Sequence, residues 1–198
     1  MAQTLTDQKK ITFEQYLLLP YDGRRTEFVD GEIIEMTEPS LGHIKLTKAL
    51  GALIDAYLEQ HGLEWACFSS PGVAYPRPGQ PDGVRDPDLV IAANTQWEAL
   101  AQQTKALFLV KNPPLLVVEI VSPGTVKTDT HDKRADYADA QVPEYWVVNP
   151  VDSYVSVWVL DGRMYTLKGE FRAAQRVESN LLKQWEMSAG KMLGERDH

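Results

Sequence analysis

The chain has 198 residues, 43% of them hydrophobic, with 28 acids against 20 bases for a net charge of −8, and a single cysteine. This length can bury a full core as one domain over residues 1–198, with the core at about 13–165. The lone Cys67 excludes a disulfide within the chain, and the acidic balance argues against non-specific coating of nucleic acid without excluding a nucleic-acid enzyme. No run reaches the roughly 20 apolar residues of a membrane helix, and the first ten residues lack the apolar core of a signal peptide, so a soluble, cytoplasmic protein is expected.

Thr12-Phe13-Glu14-Gln15 has the form of a capping box, which predicts a short helix limited by Pro20. Arg25 to Val29 and Glu32 to Met36 flank Asp30-Gly31, a preferred two-residue hairpin turn. Ser40 is placed to cap a helix running to about His61, with Leu46, Leu50, Leu53, Ile54, Tyr57 and Leu58 at helical spacing and Gly62 at the exit. Strands are expected at Leu63 to Ser69 and Val73 to Pro76, with the Pro/Gly-rich stretch from Pro71 to Gly83 read as a long loop. A further strand follows Asp88, and a loop or short helix passes Trp97 and Leu100. After the strand carrying Glu119, Asp129 to Ala140 reads as a helix and Glu144 to Pro150 as a strand. Tyr154 to Leu160 and Arg163 to Lys168 read as a hairpin across Asp161-Gly162. The order is α/β, a mixed central sheet flanked by helices with an N-terminal hairpin and a C-terminal β-hairpin. The segment from Ser179 is only weakly amphipathic.

Two carboxylates stand out. Glu119 lies within Leu115-Leu116-Val117-Val118-Glu119-Ile120-Val121, a run that reads as a strand buried on both faces. An ionised group there must meet a cation, a metal or a strong donor, or keep its proton. Asp88 opens a second apolar run, Leu89 to Ala93. Two carboxylates at corresponding places on neighbouring strands supply hard oxygen ligands suited to Mg²⁺ or Mn²⁺, with water positions left open for phosphodiester hydrolysis.

Pro87-Asp88, then Glu119-Ile120-Val121, then a lysine resembles the PD-(D/E)XK nuclease superfamily, with Val121 standing where its lysine is usual. His131-Asp132-Lys133-Arg134-Ala135-Asp136-Tyr137 supplies a displaced lysine, with Lys133 and Tyr137 on one helix face. Together with Arg25 to Ile33, Val117 to Pro123 and Pro143 to Val148, the pattern resembles the Uma-type endonuclease family from about Phe13 to Tyr165. The resemblance implies a restriction-endonuclease-like core in which Asp88, Glu119 and the Ile120 carbonyl bind Mg²⁺ (or Mn²⁺) and Lys133 aids the attacking water. It further implies Glu27 as a third acid near the metal, and His43 and Tyr137 as supporting or substrate-facing groups. DNA is the implied partner, with a homodimer as the possible assembly, and its affinity would come from Arg24, Arg25, Lys45, Lys48, Arg77, Lys127 and Arg134.

Each residue also has a plain structural reading. Glu119 could be a buried acid paired with an arginine, Lys133 could pair with Asp129 on a solvated helix face, Glu27 could be an exposed strand acid, and His43 a surface histidine. Glu144 is expected to bond backbone or a base. A nuclease-like binding protein without catalysis, and a metal-dependent hydrolase of a small phosphorylated molecule, are the rival functions. No HExxH, cysteine pair, GxxxxGK[ST] or GxGxxG segment is present, which removes support for zinc proteases, zinc ribbons, P-loop NTPases and dinucleotide enzymes.

Overall fold

The computed structural model describes residues 10–20, 23–123 and 131–195. Helix α1 (Phe13–Leu18) opens on the capping box: the Thr12 hydroxyl accepts the Gln15 amide, and Gln15 accepts the Thr12 amide. Strands β1 (Thr26–Val29) and β2 (Glu32–Glu35) turn through Asp30 and Gly31, whose φ values of 57° and 81° are the pair a type I′ turn requires. Ser40 caps α2 (Leu41–Gln60) by accepting the His43 amide, and Gly62 takes the left-handed conformation beyond its end.

The remaining elements are β3 (Trp65–Phe68), β4 (Gly72–Tyr75), β5 (Gly83–Arg85), β6 (Leu89–Ala93), α3 (Asn94–Leu100), β7 (Leu107–Phe108), β8 (Leu116–Ile120), α4 (Lys133–Asp139), β9 (Glu144–Asn149), β10 (Tyr154–Asp161), β11 (Met164–Phe171) and α5 (Ala189–Met192). The start of the helix expected from Asp129 lies outside the described residues. Strands β5 and β7, of three and two residues, are too short to carry a periodic signal, and the sequence patterning does not predict them. Asp161 pairs with Met164, so the C-terminal turn is Gly162-Arg163 rather than Asp161-Gly162, and β11 continues past Lys168 to Phe171.

The strands form two sheets. One has the order β2-β1-β5-β4-β7 and the other β11-β10-β9-β8-β6-β3. The N-terminal hairpin thus belongs to a second sheet with β5, β4 and β7, mixed because β4 and β7 are parallel, while the six-stranded sheet is the one expected at the centre, with β8 and β9 parallel across the α4 connection and its other pairs antiparallel. One face of that sheet packs Leu89, Leu116, Val118, Ile120 and Trp146 against α2 and the C-terminal segment with Trp185. The opposite face packs Val90, Val117, Val121 and Val147 against Tyr137 of α4. Every residue of β8 is buried, so the continuous apolar run reflects burial on both faces.

Glu144, 1% exposed, accepts the Trp146 indole N–H, the Ser179 hydroxyl and the amides of Asn180 and Leu181. A buried carboxylate with this many donors has its acceptor capacity met without a metal. It ties the C-terminal segment to β9.

Candidate active site

The two sheets meet where the chain passes from β5 to β6. Asp86-Pro87-Asp88 makes that crossing, and Pro87, which has no amide to donate, sits where pairing changes from one sheet to the other. Leu89 pairs with Val118 and Val90 with Val117. Continuing this antiparallel register by one step sets Asp88 opposite Glu119, both on the face that carries Val90 and Val117. The contact is direct at the backbone: the Ile120 amide donates to Asp88 Oδ2 at 2.8 Å.

Helix α4 brings the cation. Lys133, 4% exposed, has its Nζ 3.0 Å from Glu119 Oε2 and 3.4 Å from Glu27 Oε1, so it is a buried bridge between two acids and not a solvated helix-face residue. One turn on, the Tyr137 hydroxyl donates to Glu119 Oε1 at 2.6 Å. Burial and the neighbouring Glu119 charge hold the Tyr137 phenol well above its ordinary value, which keeps it a donor. Glu27 is likewise buried, paired with Arg85, whose guanidinium also bonds Asp136 of α4 at 2.7 Å.

His43, from the first turn of α2, is turned inward: its Nε2 lies 2.9 Å from Asp88 Oδ1 and its Nδ1 3.4 Å from the Ser122 hydroxyl. Arg25 bonds Asp86 at 2.8 Å and approaches Asp88 at 3.5 Å. Burial pushes the Asp88 carboxyl upward, but the His43 bond, the Ile120 amide and Arg25 outweigh it, and the group is held below the usual carboxylate range. Asp86 goes the other way, because burial outweighs Arg25.

All seven residues nominated from the sequence therefore come together: Asp88, Glu119, Ile120, Lys133, Glu27 and His43 line one cleft of about 340 Å³, and Tyr137 stands behind Glu119. Arg85, Asp86 and Asp136 complete the network and were not nominated, although Arg85 and Asp86 immediately precede Pro87-Asp88. Among the proposed nucleic-acid cations, Arg24 pairs with Glu35, Arg25 with Asp86, Arg77 with Asp30, and Arg134 lies over the Trp158 ring at 4.1 Å. Lys127 lies outside the described residues. Lys45 and Lys48 remain exposed along α2, with no ion pair among the described residues.

The donor set fits a Mg²⁺-like ion that keeps most of its water. Among the described residues no three His, Cys, Asp or Glu side chains converge as a ready-made cage, but such an ion needs only one or two carboxylates. Among the described residues, five carboxylates in this network (Glu27, Asp86, Asp88, Glu119 and Asp136) face the basic side chains Arg25, Arg85 and Lys133. Among the described residues two buried oxygens accept no hydrogen bond, Asp86 Oδ1 and Glu27 Oε1, the latter having only its ion pair with Lys133. Negative charge and acceptor capacity both favour a cation and its bound water.

A family model described as "Uma2: Putative restriction endonuclease" matches residues 13–190, past the Tyr165 limit read from the sequence. Among solved structures, a "putative nuclease belonging to DUF820" from Anabaena variabilis is 17% identical, with 93% of this chain and 98% of that chain covered and a TM-score of 0.73. The two share a fold, mixed α/β and nuclease-like. No curated protein matches.

Proposed function

Because this chain belongs to the Uma2 family of restriction-endonuclease-like proteins, we propose that it is a Mg²⁺-dependent endonuclease that hydrolyses phosphodiester bonds in DNA. The observation that carries the reading is the meeting of Asp88 and Glu119 on one sheet face with Lys133 bonded to Glu119. Asp88, Glu119 and the Ile120 carbonyl would hold Mg²⁺ or Mn²⁺, with Glu27 as a further acid beside them. Such an ion, when bound, polarises a phosphoryl oxygen and acidifies a coordinated water.

The chain's own groups do the rest. Lys133 steadies the attacking water or the charge that develops on the phosphate. Tyr137 fixes one oxygen of Glu119, and His43 and the Ile120 amide fix both oxygens of Asp88, so neither carboxylate has to reorganise. Among the described residues no helix is long and apolar enough to cross a membrane; a cytoplasmic single-domain protein, acting as a homodimer when both strands are cut, completes the proposal.

The test is cleavage of duplex, single-stranded and branched DNA with Mg²⁺ or Mn²⁺ by wild type, Asp88→Asn, Glu119→Gln and Lys133→Ala. Cutting by wild type alone, abolished by EDTA, is the expected result. Absence of both cutting and calorimetric metal binding would overturn it in favour of a binding protein.

A further inference from the structure

Three clefts lie side by side along one border of the six-stranded sheet. Its registers bring the ends of β9, β8 and β3 and the start of β6 to that border, at Asn149, Ile120, Phe68 and Leu89. The cleft of Asp88 and Glu119 sits at the middle. A cleft of about 550 Å³ adjoins it beside the ends of β8 and β9, where Ile120, Ser122 and Pro150 line it. Another, of about 530 Å³, adjoins it on the other side, beside Leu89 of β6 and Ser69 and Ser70 after β3. His43, in the first turn of α2, lines all three.

Helix α2 is the ridge between the two outer clefts. Helical spacing turns Gly42, Lys45 and Ala49 toward the β9 side and Ile44, Lys48 and Gly51 toward the β3 side, so each outer cleft has one lysine. Both lysines are exposed. Helical side chains lean toward the N-terminus of their helix, which here is the end carrying His43 beside Asp88. Among the described residues no carboxylate lines the β9-side cleft. In the β3-side cleft Asp55, the acid away from Asp88, is engaged by the Cys67 amide at 3.3 Å. The middle cleft also carries Glu35 and Glu38, from the end of the N-terminal hairpin and the loop after it, so a polyanion is drawn to the α2 side.

We propose that a nucleic-acid strand crosses this border of the sheet through all three clefts, with the scissile phosphate at Asp88 and Glu119 and the phosphates on its two sides met by Lys45 and Lys48. The inference rests on the nuclease reading and narrows it. The strand continues past the site in both directions, so no free end is needed for binding, and of the chain's many cations these two carry the contacts that flank the cut.

Fluorescence anisotropy of the full chain with a labelled single-stranded oligonucleotide in Ca²⁺, over a range of KCl concentrations, tests it with Lys45→Ala, Lys48→Ala and the double variant. Lys168→Ala, on the edge strand β11, controls for net charge. Expected is a plot of log affinity against log salt made shallower by roughly 0.7 in each single variant and by about twice that in the double, with the wild-type slope in Lys168→Ala, Lys45→Arg and Lys48→Arg. An unlabelled circular strand of the same length, which has no end to insert, should compete as well as the linear one. Wild-type slopes in both alanine variants, an equal change in Lys168→Ala, competition by the linear strand alone, or no binding by wild type would each overturn the track. Hydrolysis of methyl p-nitrophenyl phosphate with Mn²⁺, a substrate with no flanking phosphate, separates the two ideas: turnover by wild type that is lost in Asp88→Asn preserves the phosphodiesterase reading even where the track fails.

Discussion

Lys133 Nζ stands 3.0 Å from Glu119 Oε2, with the lysine on α4 and the glutamate next to the C-terminal end of β8, both almost wholly buried. The lysine reaches across from a neighbouring helix because the position two residues after Glu119, Val121, points into the apolar face beneath α4. Removing one partner of a buried pair leaves the other charge poorly solvated, a cost of about 3–5 kcal/mol. Lys133→Met should therefore destabilise the fold by that order in urea denaturation, and adding Glu119→Gln should restore a large part of it. An additive double variant would mean that the two charges do not depend on each other.

Tyr137 touches Glu119 from the same helix, through a 2.6 Å bond in a fully buried setting. Tyr137→Phe keeps the ring packed against Tyr145 and removes only the donor. A stability loss of about 1–3 kcal/mol is expected. A lowered kcat with substrate KM unchanged would mark Tyr137 as a positioning residue, while kcat equal to wild type would show that Glu119 holds its place without it.

The Asp88 shift has a sign that can be read in a pH titration of stability. Its folded-state carboxyl lies below the ordinary value, so its contribution is fully present above the unfolded carboxyl range and is lost as pH falls toward the depressed folded value. In EDTA, the stability difference between wild type and Asp88→Asn should be largest near neutrality and shrink in acid. A difference that grows on acidification would contradict the His43, Ile120 and Arg25 contacts as its cause.

Much of this site was legible because its signals are local. The apolar run around Glu119 and the strand after Asp88 are stretches in which a single acid is conspicuous, and Thr12, Asp30-Gly31 and Ser40 act through neighbours three residues away or fewer. What was not legible depends on tertiary placement. Arg85 looks like any strand-end arginine until β1 and α4 bring Glu27 and Asp136 to it. The second sheet was missed because β5 and β7 have three and two residues and are defined by partners, not by pattern. The cations Arg24, Arg77 and Arg134 looked available for phosphate, but their partners Glu35, Asp30 and Trp158 are distant in sequence.

Glu144 offers an internal control, a buried carboxylate built for structure. Glu144→Gln trades an acceptor pair serving four donors for an amide whose nitrogen cannot accept, so the amides of Asn180 and Leu181 lose charge-assisted bonds. Expected are a stability loss of about 1.5–3 kcal/mol and faster hydrogen exchange at residues 179–182, with activity per folded molecule unchanged. Activity loss without faster exchange would assign Glu144 to the site.

Cys67 tests the packing behind β3. Burial, with Asp55 adding to it, pushes its thiol from 9.0 up to about 12. The unfolded thiol ionises above about pH 9, whereas the folded one keeps its proton to about 12, so the stability it contributes is complete below pH 9 and drains away between 9 and 12. The slope is at most about 1.4 kcal/mol per pH unit. Tyr75, raised to about 12 by burial, shares part of this window, so the informative quantity is the difference between wild type and Cys67→Ala, which should narrow as pH rises through it. Iodoacetamide at pH 8 should label native Cys67 far more slowly than urea-unfolded chain, and equal rates would show that β3 opens against α2 in the native state.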